Sequence, residues 1–151
     1  ENGRDLEARG NMMIAAMMGA IAFQKGLGVT HSLAHPLSTV AGLHHGLANA
    51  ILLPYTMTFN REAARERLRD IAAAFGVNVH ALSADEAAQA AIDQVVQLCQ
   101  AVGIPSRLRE VKVTAEMIPT LAQKAMADGC HLTNPHPCTE QDMMNLYRNA
   151  I

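Results

Sequence analysis

Helical punctuation recurs along this chain. Apolar residues return at three- and four-residue spacing in segments of helical length, most of them opened by a hydroxyl residue or closed by a glycine. Nowhere do apolar and polar residues alternate convincingly, Arg109 to Val113 being the nearest approach. The run DLEARGNMMIAAMMGAIAFQK, Asp5 to Lys25, is stopped by Gly26 and Gly28, which supply a cap and a turn. Its Met12, Met13, Met17, Ile21 and Phe23, with alanines between, leave few polar positions on any face, and a helix apolar all round is a buried helix. Gly42 then divides THSLAHPLSTVAGLHHGLANAILLPYTMTFN into two helical pieces, in which Pro36 and Pro54 predict a kink or an end. Arg61 to Phe75 interleaves charges (Glu62 with Arg65, Glu66 with Arg69) against an inner stripe of Leu68, Ile71, Ala72 and Phe75, and stops at Gly76. Ser83-Ala-Asp-Glu86 is a capping box heading a helix to about Val102, and Thr114 and Thr139 are N-caps for helices at about 115 to 127 and 140 to 150. The expectation is an all-α fold of six or seven helices, with residues 1–151 forming one helical domain.

Composition agrees, since aromatics are 3 % with no Trp and Met numbers nine, which starves strands of their usual material. A chain of 151 residues is long enough to bury roughly 68 to 70 % of its unfolded surface without disulfides. Lys plus Arg total 12 against 14 Asp plus Glu, so the basic excess that a nucleic-acid partner demands is missing. The longest uncharged apolar run, Met12 to Phe23, falls short of the roughly 20 residues that span a bilayer, and no signal-peptide pattern precedes it. Cys99, Cys130 and Cys138 are odd in number and lack CxxC spacing, which reads as reduced thiols in the cytoplasm. No membrane association is expected. The first residues are Glu-Asn-Gly with no initiator Met, as in a piece of something longer.

Seven histidines are many for this length, and His31, His35, His44 and His45 crowd into one short segment. His31 and His35, four apart, share a helix face, while His45 follows the Gly42 break at the start of the next helix. Imidazoles delivered from adjacent helices are how a bundle holds a divalent first-row metal. No carboxylate lies nearby in sequence, so three neutral nitrogens at most make an incomplete site.

The segment GLGVTHSLAHPLSTVAGLHHGLANAILLP, Gly26 to Pro54, resembles the hallmark of the iron-containing (group III) alcohol dehydrogenases. The likeness extends from DLEAR at Asp5 to TNPHPCTEQDM at Thr133 to Met143. In that family a Rossmann-like nucleotide domain precedes a helical domain of the dehydroquinate synthase-like fold, with a divalent metal in the cleft between them. The resemblance implies that His31 and His45 are metal ligands, with Fe2+ preferred over Zn2+. It implies that His35 lies by the nicotinamide and the substrate, in both catalytic and cofactor-binding roles, and that Cys130 lines the substrate pocket. It also implies a homodimer, a small alcohol or aldehyde as substrate, and NAD(P) bound mainly by an N-terminal domain this chain lacks.

Three departures bear on these implications. No D-x-x-x-H occurs, so the family's first two ligands are absent; Gly26 and Gly28 follow a helix and fail the context of a dinucleotide fingerprint; and Asn134-Pro135-His136 stands where the family has Asn-Pro-Arg. His44 reads as a surface residue at a helix start, and Cys130 reads equally well as a buried thiol packing as a small hydrophobe. Two other classes stand beside the dehydrogenase reading: a free-standing helical metal-binding or interaction module without catalysis, and a bundle whose histidines are structural.

Overall fold

The computed structural model describes residues 2–151. Seven α-helices follow one another: α1 (Leu6–Ala22), α2 (Val29–Val40), α3 (His45–Asn60), α4 (Arg65–Ala74), α5 (Ala84–Ala101), α6 (Ile118–Ala127) and α7 (Glu140–Ala150). Short 3₁₀ turns fill the connections, and no strand occurs among the described residues. The all-α expectation is met, with helix order and caps close to those the sequence predicts.

Two apolar clusters organise the packing. In the larger, Leu33 and Leu37 of α2, Ile51 and Leu52 of α3, Leu121 of α6 and Tyr147 of α7 meet almost without solvent contact. Tyr147 donates its hydroxyl to the Leu33 carbonyl at 2.7 Å, satisfying the one polar atom a tyrosine brings into such a core. In the smaller, Leu68 and Ala72 of α4 pack on Ala88, Ala91, Ile92 and Val95 of α5, with Met57 of α3 bridging to the first. The Ser83 capping box holds as read, its Oγ accepting from the Glu86 N–H; Thr139, expected as an N-cap, accepts from the Asp142 N–H and forms a second box, and each acid reaches back to its cap.

Four expectations need correction. The segment at Asp5 to Lys25 is helical but is not a buried helix: α1 has no buried residue, and Met13 is 72 % and Met18 62 % exposed. Its axis turns 108° from that of α2 at the Gly26 break, away from the core. Apolarity on every side sets a demand for partners, and the rest of this chain does not meet it. Of the kink or end expected at each proline the end does not occur, for α2 continues past Pro36 and α3 past Pro54. The carbonyl that Pro54 leaves unpaired, that of Ala50, accepts the Cys99 thiol at 3.8 Å.

The stripe of α4 is narrower than its pattern, because Ile71 and Phe75 stay 38 % and 40 % exposed while Leu68 and Ala72 are buried. Arg69 donates to the Val79 carbonyl and forms no ion pair with Glu66, and Glu62–Arg65 pairs only at 4.0 Å. Thr114 makes no side-chain cap; α6 starts after a 3₁₀ turn over Ala115–Met117, with Pro119 in its first turn. The weakly alternating Arg109 to Val113 is a 3₁₀ turn closed by Lys112 in the left-handed region.

All three cysteines are free. Among the described residues no single helix is long and apolar enough to cross a membrane.

Candidate metal centre

The start of α2 fixes everything that follows it in the site. Gly28 is its N-cap, and the Val29 N–H, one of the donors a helix start leaves unpaired, is taken by Asn134 Oδ1 at 3.1 Å. Asn134 also exchanges hydrogen bonds with Asn60 at the end of α3, at 2.7 and 3.0 Å. One side chain thus pins the first turn of α2 to the last of α3. The approach is close enough that a Cβ at Gly28 would lie 2.9 Å from Asn134 Oδ1.

One turn in, His31 and His35 project from the same face of α2, with ring centroids 5.9 Å apart. The loop through Gly42, which sits at φ +66°, brings α3 back so that its first residue, His45, completes a triangle. The His45 ring lies 5.4 Å from that of His31 and 5.2 Å from that of His35. His44, one residue earlier, is exposed and stays outside the triangle. The three rings line an open cleft of about 410 Å³, whose opposite wall is the C-terminal end of α1: Gly19, Ala20 and Phe23. A more enclosed cavity of about 310 Å³ between α3 and α5 contains none of these histidines.

Crowding has an electrostatic consequence. Burial, and then the neighbouring His45 and His35, push the His31 pKa below its ordinary value, against the opposing pull of Asp128. A neutral imidazole, lone pair available, is the form a metal ligand requires. The Asn49 side-chain amide lies 3.0 Å from His45 Nε2 and occupies that nitrogen's lone pair, so Nε2 is free for a cation only once Asn49 releases it, and Asn49 Oδ1 is left buried without a partner. Imidazole nitrogens are the donor type a divalent first-row cation takes, and the site is short of the anionic ligands such a cation prefers.

The loop after α6 adds residues that sequence reasoning missed. Asp128 Oδ2 accepts from His35 Nδ1 at 2.7 Å, while its Oδ1 accepts from the Cys130 N–H at 2.8 Å and from Ser32 Oγ at 3.0 Å. Burial works to raise the Asp128 pKa, but the hydrogen bonds from His35, Cys130 and Ser32 outweigh it and hold the carboxyl well below the usual range. Cys130 is not part of the cleft's lining but stands close to His35: one donor atom each from His35, Asp128 and Cys130 falls within 4.8 Å of the others. That second trio is a poor cation site. Burial first, then the adjacent Asp128, raises the Cys130 thiol to about 11, and the Asp128 oxygens are already engaged.

No motif marks Asp128 in sequence. It lies 93 residues from His35 and meets it only because α6 packs against α2. His136, in the Asn-Pro-His stretch, packs edge-on against Phe59 at 4.6 Å.

The comparisons with known proteins give the family. A family model described as "Fe-containing alcohol dehydrogenase family, C-terminal" matches residues 1–151. Lactaldehyde reductase of Escherichia coli (strain K12) is 42 % identical over 147 residues, 97 % of this chain and 38 % of that protein. A crystal structure of 1,3-propanediol oxidoreductase superposes with a TM-score of 0.96 at 36 % identity, covering 99 % of this chain and 39 % of that one. An alcohol dehydrogenase from Oenococcus oeni gives a TM-score of 0.95 at 34 % identity, again over 99 % of this chain and 39 % of its own. The chain spans somewhat less than two fifths of each of these proteins. The match along its whole length and its helical architecture place the chain in the Fe-containing alcohol dehydrogenase family, in the C-terminal part.

Proposed function

We propose that this chain is the metal-binding helical portion of an NAD(P)-dependent alcohol dehydrogenase, with residues 1–151 forming one helical domain that works with an upstream nucleotide-binding domain. The observation that carries the reading is the triangle of His31, His35 and His45, three rings from two helices within 5.2 to 5.9 Å of one another along an open cleft. His31 and His45 would hold a divalent metal, with the remaining ligands from outside this chain; ligand type alone does not choose the ion, and the description of the family as Fe-containing favours Fe2+ over Zn2+. Bound there, the metal supplies Lewis acidity that favours loss of an alcohol's hydroxyl proton.

In the reaction, R₂CHOH and NAD(P)+ become R₂C=O, NAD(P)H and a proton; the hydride passes from the carbinol carbon to the nicotinamide, and the proton leaves the oxygen. The chain's own contribution is positional. α2 and α3 present the rings from one side, the end of α1 closes the other, and the half-exposed His35 lies where a substrate hydroxyl or a nicotinamide amide could reach it. His35 is assigned to orient the cofactor ring and to relay the proton, tasks a neutral imidazole suits. Cys130 is assigned to the wall behind it.

The exposed apolar surface of α1 supports the two-domain reading, because such a surface suits burial against further protein. Lactaldehyde reductase and 1,3-propanediol oxidoreductase among the similar proteins favour a small alcohol or aldehyde as substrate. A homodimer in the cytoplasm completes the proposal.

Metal analysis of the full-length protein tests it. His31→Ala and His45→Ala should each lower bound metal by at least about tenfold, a loss of the size that disturbing a metal shell produces. His44→Ala should leave it unchanged. Full retention of metal in both single variants would return the histidines to a structural role.

A further inference from the structure

Asp128 is oriented more firmly than a surface carboxylate usually is. Its Oδ1 accepts two donors whose own positions are fixed: the backbone N–H of Cys130 at 2.8 Å and the hydroxyl of Ser32 at 3.0 Å. Ser32 is fully buried, and its oxygen in turn accepts the backbone N–H of His131 at 2.8 Å. The hydroxyl proton therefore goes to Asp128, with Oδ1 at 3.0 Å nearer than the backbone carbonyl at 3.3 Å. A backbone N–H cannot become an acceptor, so Oδ1, which takes the Cys130 N–H, must be an acceptor oxygen. That leaves Oδ2 facing His35 Nδ1 at 2.7 Å, and between an ionised carboxylate oxygen and a ring nitrogen only the nitrogen can donate.

We propose that Asp128 is a positioning residue for His35, holding the ring with its proton on Nδ1 so that Nε2 is presented as the free acceptor. The inference rests on the role given to His35 above and deepens it. An imidazole that takes a proton from an alcohol or from water must offer an unprotonated nitrogen, and a ring free to change tautomer or to turn about its own bonds does so only part of the time. Here the selection is made by a chain of hydrogen bonds that converges on the carboxylate: the His131 N–H donates to Ser32, Ser32 donates to Asp128, and His35 Nδ1 donates to Asp128 from the other side. Nε2 of His35 makes no hydrogen bond among the described residues, and so remains available to a ligand in the cleft.

The same geometry makes Asp128→Asn a sharp test. The Cys130 N–H and the Ser32 hydroxyl would hold the amide oxygen in the Oδ1 position, and the NH₂ would then fall opposite His35 Nδ1. Nδ1 becomes the acceptor and the proton moves to Nε2, so a nearly isosteric change inverts the ring. In the metal-free full-length protein, with histidine nitrogens labelled and at alkaline pH, the wild type should show the His35 Nδ1 resonance as the protonated nitrogen and Nε2 as the unprotonated one. Asp128→Asn should show the two interchanged, and Asp128→Ala should show them averaged. A wild-type ring with its proton on Nε2, or an Asp128→Asn ring unchanged from wild type, overturns the proposal.

Two further measurements separate its failure from that of the function beneath it. Asp128→Asn should keep the wild-type metal content, whereas loss of metal would mark Asp128 as a ligand and overturn the positioning role. In the metal-loaded protein with NAD(P), kcat for a small primary alcohol should fall on the order of 10²-fold with little change in KM, and an unchanged kcat overturns it as well. A wild-type protein that inverts its tautomer in Asp128→Asn but oxidises no alcohol would sink the dehydrogenase reading and leave the hydrogen-bond assignment standing.

Discussion

Asp128 couples the site to the acid stability of the fold. Its pKa is depressed in the folded state, so below the ordinary carboxylate value of about 3.9 the unfolded chain binds a proton that the native one does not. The stabilisation is therefore complete above that value and drains away as the pH falls through it toward the native pKa. Denaturant midpoints followed from neutral pH down to about pH 2.5 should show a steep acid limb in wild type and a shallower one in Asp128→Ala, with the variant already less stable at neutrality. Identical limbs would mean that the carboxylate is not held as its three donors indicate. His35, His31 and His45 were legible from sequence because a four-residue spacing and a glycine break are local signals. Asp128, Ser32 and Asn134 were not, since each acts on a residue about a hundred positions away, and a lone Asp or Asn in a loop, or a lone Ser in a helix, carries no local mark of it.

At the level of the helix, caps and periodicity gave good boundaries, and α1 shows what they leave out. The N-cap of Asp5, accepting from the Ala8 N–H, and the stop at Gly26 belong to the helix alone, whereas burial depends on a surface supplied by other elements. Methionine-rich apolarity in α1 specified that it wants covering and not what covers it. This gives a paired prediction. In the 151-residue chain Met17→Asp, at a residue 56 % exposed, should change stability by no more than about 0.5 kcal/mol. In the full-length protein the same change should cost about 2 kcal/mol or more, since it buries a charge without a partner. Urea unfolding of both forms decides it, and equal effects in the two would mean that α1 stays bare. The narrowed stripe of α4 makes the same point at smaller scale: Ile71 and Phe75 fall on the helix's apolar side, but α5 covers only the Leu68 and Ala72 edge.

Across the molecule, the two clusters divide the labour. The larger joins α2, α3, α6 and α7 and carries the histidines and their supports; the smaller ties α4 and α5 to the back of α3. Amide hydrogen exchange on the chain should find the slowest protons in α2 and α7 around Leu33 and Tyr147, faster exchange in α4, and near-unprotected amides in α1. Protection of α1 equal to that of α2 would contradict the packing described. The count and order of helices followed from sequence because each helix announces itself locally, but their division into two bodies arises from contacts that no window of sequence contains. The hairpin between α2 and α3 is only residues 41 to 44, turning at Gly42, and with the packing of α2 on α3 it sets how far the third ring stands from the first two. A one-residue insertion or deletion there would displace His45 from its two companions, so the spacing of the three rings is held by four residues of backbone and the helices they join.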